Sequence, residues 1–178
     1  MLLSGSLRNG STSSAVLRTA LEVAPPGVEA VVYEGIGSLP HYNPDRDVDP
    51  LDEAVGGFRA EIHRAHALVV CTPEYAGALP GSFKNALDWT IGDDQPGSIY
   101  EKPVAWINAS PRGGEGAHRE LRTVLQYAHA HIVEAACLDL PVSQSMVDAS
   151  GTISAPAARG RIERLLSVLV EHLAPVRP

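Results

Sequence analysis

The run Ser4-Gly5-Ser6-Leu7-Arg8-Asn9-Gly10-Ser11-Thr12-Ser13-Ser14 gathers two glycines, five serines, a threonine and an arginine between two apolar segments. A loop of that composition, leaving a strand and entering a helix, offers an anion backbone N–H groups, hydroxyl donors, a guanidinium and a helix N-terminus. Gly5 and Gly10 have the spacing of the glycines in a nucleotide-hydrolysing phosphate loop, but Ser11 stands where that chemistry needs a lysine. The dinucleotide fingerprint GxGxxG fails too, because Leu7 occupies the place of its middle glycine. No cysteine lies in the run to serve as a phosphatase nucleophile. A terminal monophosphate is the anion that survives these exclusions. The plainer alternative is a serine-capped helix start with Arg8 in solvent.

The elements that would position this loop alternate in apolar period along the whole chain, which is the pattern of an α/β domain. Strands are expected at Met1–Ser4, Val28–Tyr33, Ala67–Cys71, Val104–Asn108 and Ile132–Leu138, as short apolar runs buried on both faces. Helices are expected at Ser14–Val23, Leu51–Ala65, Ala117–His131 and Ala157–Leu173, with a shorter one opening at Pro80, whose fixed φ suits a first turn. A right-handed crossover after each strand gives a doubly wound five-stranded parallel sheet of order 2-1-3-4-5 with helices on both faces. In that order the ligand crevice lies at the carboxyl ends of strands 1 and 3. The loops leaving Ser4, Cys71 and Asn108 are therefore the ones that matter.

The chain of 178 residues, 44% hydrophobic and 20% charged, is expected to form one domain over residues 1–178. Its net charge of −7 argues against a nucleic-acid binder, which needs a surplus of Lys and Arg. No apolar run approaches the ~20 residues of a membrane span, and no charged leader precedes the first apolar segment, so a cytoplasmic protein without a membrane partner is expected. Cys71 and Cys137 lack a CxxC spacing and are expected to be free buried thiols.

The loop after the third strand reads PEYAGALPGSFKNALDW from Pro73 to Trp89. Together with GSLRNGS from Gly5 to Ser11, it resembles the NADPH-dependent FMN reductase family, a flavodoxin-like group that includes quinone, azo-dye and chromate reductases. Leu39-Pro40-His41-Tyr42-Asn43 is similar to that family's loop after strand 2, Ser110-Pro111-Arg112-Gly113-Gly114 to its turn after strand 4, and Asp148–Ile153 to its segment before the last helix. Ala76 and Ser13 stand where the family usually has Asn, and the turn after Ser110 is shortened.

The resemblance implies an FMN cofactor, with NADPH or NADH as co-substrate and a quinone or similar small-molecule electron acceptor. It implies that the FMN phosphate lies on Ser6, Arg8, Ser11 and Ser13, with Thr12 in the same cradle, and that the ring lies between Pro73, Glu74, Tyr75, Ala76 and Gly77 on one side and Ser110, Pro111, Arg112, Gly113 and Gly114 on the other. A homodimer or homotetramer is implied as well, with Tyr42 near the partner's flavin. The physical reading fits: a flavin edge needs main-chain donors and acceptors at close range, which Gly77, Gly113 and Gly114 permit, and Tyr75 offers a flat wall. The cofactor carries the chemistry, so no catalytic side chain is required. A flavodoxin-like electron carrier and a non-catalytic flavin-binding sensor share these elements and stay open as alternatives.

Other signals are weaker. His63 and His66 are three apart without a third ligand, so they are expected to be solvated surface histidines with no metal. The acidic stretch from Asp45 to Glu53 lacks the central glycine of a calcium loop, and suits a helix start.

Overall fold

The computed structural model describes residues 1–174; residues 175–178, the end of the single domain expected over 1–178, lie outside the described residues. The strands are β1 (Leu2–Ser4), β2 (Val32–Tyr33), β3 (Leu68–Cys71), β4 (Pro103–Asn108), β5 (His131–Ile132) and β6 (Leu138–Asp139). The helices are α1 (Thr12–Glu22), α2 (Glu53–Arg64), α3 (Gly81–Ile91), α4 (Glu115–Tyr127) and α5 (Pro156–Leu173). The sheet is parallel in the order β2-β1-β3-β4-β5, with β6 also paired to β4.

Two differences from the expected strands have local causes. The fifth strand is not continuous: a 3₁₀ turn at Glu134–Ala136 interrupts it, so five lanes hold six strands. Val133 still donates to the Val104 carbonyl at 2.9 Å, and the ladder resumes when Leu138 and Asp139 pair with Ile107 and Asn108. The interruption buries Val133 and Ala136 while Glu134 turns outward to pair with Arg122. The second strand is much shorter than its apolar run, because β1 supplies only Leu2 and Leu3 as partners for Val32 and Tyr33.

Helix α4 ends at Tyr127, four residues before the expected His131, because His129 takes a left-handed φ of 53° and His131 already belongs to the sheet. Helix α2 starts at Glu53, two residues after the expected Leu51, because the Asp52 carboxylate caps it by accepting the Ala54 N–H at 3.0 Å. Asp47 pairs with Arg59 at 2.8 Å, with both side chains buried. His63 is not simply solvated, since its Nε2 lies 2.6 Å from an Asp93 carboxylate oxygen and ties the end of α2 to the segment after α3.

Two apolar layers flank the sheet. Val16, Leu17 and Ala20 of α1 pack with Ile162, Leu165 and Leu169 of α5 on one face; Val55, Phe58 and Ile62 of α2, Phe83 and Leu87 of α3, and Leu121 and Leu125 of α4 fill the other. The central strands β1, β3 and β4 thus have both faces covered, which leaves the carboxyl ends as the place where polar loops meet. Cys71, at the end of β3, is fully buried, while Cys137 is only half-buried because it sits at the rim of the interrupted fifth lane.

Candidate functional site

Three loops converge at the carboxyl ends of β1, β3 and β4. The first approaches the second at Gly5, whose N–H donates to the Cys71 carbonyl at 2.9 Å. A Cβ on Gly5 would overlap the Thr72 hydroxyl, so only glycine lets the two strand exits lie side by side.

Within the first loop, Ser11 caps α1: its hydroxyl oxygen accepts the Ser14 N–H at 3.0 Å. The N–H groups of Thr12 and Ser13 find no acceptor among the described residues and head the helix. Ser6 is buried, and its hydroxyl oxygen accepts the Arg8 N–H at 3.3 Å. Arg8 itself is exposed, with no carboxylate within 4.0 Å among the described residues. The Ser13 hydroxyl is turned inward beside the Cys71 thiol, so this residue offers the loop its main chain and not its side chain. A cavity of about 500 Å³ opens here, walled by Ser6, Arg8, Gly10 and Ser14 and faced by Tyr33 of β2 and by Glu34.

The second loop is a tight turn. Tyr75 and Ala78 exchange main-chain hydrogen bonds of 3.0 and 3.1 Å around Ala76 and Gly77, which both have positive φ, 52° and 78°. That is the geometry of a type I′ turn, normally carried by Asn and Gly. Tyr75 is 51% exposed, free to cover a planar ligand. Glu74 points elsewhere: its carboxylate accepts the Ala117 N–H in the first turn of α4 at 3.0 Å. Pro73 stands half-buried at the strand exit, with its carbonyl accepting the Thr72 hydroxyl at 3.2 Å.

In the third loop, Ser110 donates its N–H to the Asn108 side-chain oxygen at 3.2 Å, and the Asn108 amide donates to Asp139 at 2.9 Å. Pro111 and Arg112 are exposed. Gly113 and Gly114 both take left-handed φ, 105° and 103°, which no side-chain-bearing residue adopts without strain. Their N–H groups have no acceptor among the described residues. Adjacent unpartnered N–H groups beside a helix N-terminus form a donor nest for negative charge.

A model of the NADPH-dependent FMN reductase family matches residues 1–142. The chain belongs to this family. An NAD(P)H-dependent FMN reductase of Pseudomonas aeruginosa is 35% identical over 170 residues, covering 94% of this chain and 90% of that one. A quinone reductase of Pseudomonas putida is 33% identical, covering 84% and 81%. The flavoenzyme NAD(P)H:(acceptor) oxidoreductase FerB of Paracoccus denitrificans superposes with a TM-score of 0.81 at 26% identity, covering 96% of each chain. A flavodoxin from Pseudomonas aeruginosa, at 21% identity and a TM-score of 0.55, shares the fold.

Three observations in this chain suit the family's FMN cofactor. Among the described residues, unpartnered N–H groups head α1 and crown the Gly113–Gly114 turn, and an exposed tyrosine stands on the loop of β3, the strand between β1 and β4. The supports of this FMN reductase site were less visible in sequence. Asn108, Gly116, His118 and Glu120 were not among the candidates, yet each braces a loop. Glu120 accepts the Leu79 N–H at 2.7 Å, and a Cβ on Gly116 would overlap the Gly77 carbonyl. Asn85 and Trp89, which read as plain helix residues, both donate to the Pro40 carbonyl, at 2.9 and 2.8 Å, and fasten the Leu39–Tyr42 loop to α3. A third glycine close after Gly113 and Gly114, at the second position of α4, was the available signal for Gly116.

Proposed function

We infer that the protein is an NAD(P)H-dependent FMN reductase whose electron acceptor is a quinone or a similar small molecule. Family membership supports the FMN and the nicotinamide, and the 35% and 33% identical relatives, named FMN reductase and quinone reductase, support the acceptor class. The observation that carries the reading on this chain is the meeting of two unpartnered N–H clusters and one exposed tyrosine at the switch point of the sheet. Bound FMN would supply the two-electron chemistry between nicotinamide and acceptor. The protein's residues bind and orient. The Thr12 and Ser13 N–H groups, the Ser6 and Ser11 hydroxyls and the Arg8 guanidinium hold the phosphate; Tyr75 covers the ring; Gly77, Gly113 and Gly114 bring main chain to its polar edge. Arg112, exposed beside that edge, meets the 2′-phosphate of NADPH.

Tyr75, Ala76, Gly77, Pro111 and Arg112 are all exposed in the single chain, which supports a homodimer or homotetramer in which a second subunit closes the ring site. The Tyr42 ring, edge-on to Trp89 at 5.0 Å, is the side chain proposed to face the partner's flavin. Two free thiols and the dependence on reduced nicotinamide support a cytoplasmic location. No helix among the described residues is long and apolar enough to cross a membrane.

An anaerobic titration tests the reading. Protein loaded with FMN should lose its flavin absorbance on addition of NADPH or NADH and regain it with benzoquinone, with parallel double-reciprocal plots at several quinone concentrations. A bound flavin that neither nicotinamide bleaches, but that dithionite does, would favour the electron carrier.

A further inference from the structure

Helix α4 carries a buried histidine whose second nitrogen has no partner among the described residues. His118 is 8% exposed, and its Nδ1 lies 2.8 Å from the Gly114 carbonyl oxygen. A carbonyl only accepts, so Nδ1 carries the hydrogen. The other nitrogen, Nε2, is buried with no partner among the described residues, in a pocket formed with Trp106, whose ring centroid is 6.1 Å away. A second hydrogen at Nε2 would be a buried donor without an acceptor, so the ring that fits is the single tautomer with Nδ1–H. An unpartnered polar atom in the core carries a desolvation cost that leucine or phenylalanine there would not. The compensation is the bond to Gly114.

Gly114 is where such a bond has most effect. It is the N-cap residue of α4, it has no side chain to cap with, and with Gly113 it forms two consecutive left-handed residues. The loop is pinned at its start by Ser110 on Asn108 and at its end by Gly114 on His118. The Gly114 carbonyl also accepts the His118 N–H at 3.1 Å, so side chain and main chain of one residue grip the same oxygen. That oxygen lies in the peptide plane joining Gly114 to Glu115, and only the two dihedrals of Gly114 separate it from the Gly114 N–H, so holding it restricts how the Gly113–Gly114 N–H groups can turn.

We propose that His118 is a positioning residue for the cofactor's pyrimidine edge, holding the Gly113–Gly114 donors preorganised for the negative charge that gathers there on reduction. The proposal rests on the flavin reading above. It assigns His118 no contact with cofactor or substrate; His118 acts through Gly114. Preorganised donors stabilise the reduced form more than the oxidised one, because only the former carries the charge they face.

The test compares His118→Leu, which removes the donor, with His118→Asn, whose side-chain N–H2 can reoccupy the Nδ1 position. In apo-protein, ¹⁵N order parameters of Gly113 and Gly114 should fall in His118→Leu and recover in His118→Asn, and the wild-type imidazole shifts should report hydrogen on Nδ1. In holoprotein, His118→Leu should weaken reduced FMN about tenfold relative to oxidised FMN, which is a fall of about 30 mV for a two-electron couple. His118→Asn should restore at least half of it. Hydrogen on Nε2, unchanged order at both glycines, or equal loss of affinity for both flavin states would overturn the proposal. If wild-type protein takes up no FMN, the flavin reading fails by itself, and the order parameters and tautomer still decide whether His118 positions the turn.

Discussion

The Glu74 carboxylate accepts the Ala117 N–H at 3.0 Å, joining the loop after β3 to the first turn of α4. A second carboxylate crosses in the opposite direction, from Glu120 on α4 to the Leu79 N–H at 2.7 Å. Each bond is charge-assisted, and the first also places negative charge against the positive end of the helix. Between them lies Gly116, on which the Gly77 carbonyl rests. The two walls expected to flank the ring are therefore one rigid piece, and Glu74 acts in it as a brace.

Gly116→Ala tests that contact. The added methyl overlaps the Gly77 carbonyl, which is backbone held in a tight turn and cannot rotate aside. Alanine favours the helix by about 1 kcal/mol over glycine, so α4 itself should not suffer. The expected outcome is an unchanged far-UV spectrum with FMN binding weakened at least about tenfold, or about 1.4 kcal/mol. Unchanged affinity would mean that the turn does not touch the cofactor.

Arg8 carries the phosphate reading. A hydrogen bond to a charged group contributes about 1.5 to 3 kcal/mol, so Arg8→Ala should weaken FMN binding roughly 10- to 150-fold. Riboflavin, which has no phosphate, should bind wild type and variant alike. A guanidinium left in solvent, as the capped-turn alternative holds, would give no difference for either ligand.

The lanes of the sheet and the loops at their ends were legible because a strand buried on both faces reads as a bare apolar run and a phosphate loop reads as glycine and hydroxyls. The interruption at Glu134–Ala136 was not, since Val133, Ala136 and Leu138 are apolar and the turn among them is set by tertiary pairing. Glu74 shows the same limit at the site. Its place in the loop can be read from the sequence, but the direction of its carboxylate depends on α4, 43 residues away in the chain. His118 and Asn108 are silent in the sequence because a polar residue that supports a loop from below carries no spacing signature of its own.

Ala76 sits at a position that favours Asn or Gly. Its φ of 52° lies in the left-handed region, which costs an ordinary residue roughly 1 kcal/mol. The turn has open space at Gly77, and Ala76 is exposed, so a replacement meets no packing barrier. Ala76→Asn should raise the melting temperature of the apo-protein by about 2 to 4 °C, the shift expected for about 1 kcal/mol in a chain of this size. A fall in melting temperature would place the strain elsewhere.

Arg112 supplies the nicotinamide test. It is exposed beside the two-glycine turn, with its N–H donating to the Ser110 hydroxyl oxygen at 3.4 Å, and no carboxylate lies within 4.0 Å among the described residues. A free guanidinium there favours a phosphate dianion over a hydroxyl. Arg112→Ala should raise KM for NADPH about tenfold or more and leave KM for NADH within about twofold, the tenfold step corresponding to about 1.4 kcal/mol. Equal effects on both would remove this role.

Cys71 makes stability fall in alkali. Burial pushes its thiol from an ordinary 9.0 up to about 12, because the thiolate would lie under the start of α1 with no water. Below pH 9 the thiol is protonated in both folded and unfolded chains and contributes no slope. Above pH 9 the unfolded chain releases the proton while the folded chain retains it, so stability drops as pH rises, by up to about 1.4 kcal/mol per unit, until the folded thiol ionises near 12. Lys102 works in the other sense: burial lowers its ammonium, so its contribution grows as pH rises. Both the wild type and Cys71→Ala keep Lys102, so their difference isolates the thiol. Urea unfolding at pH 8 and pH 10.5 should show the wild type losing about 2 kcal/mol more than Cys71→Ala between the two values. Parallel losses would mean that water reaches Cys71, and the floor beneath the phosphate loop would then be open.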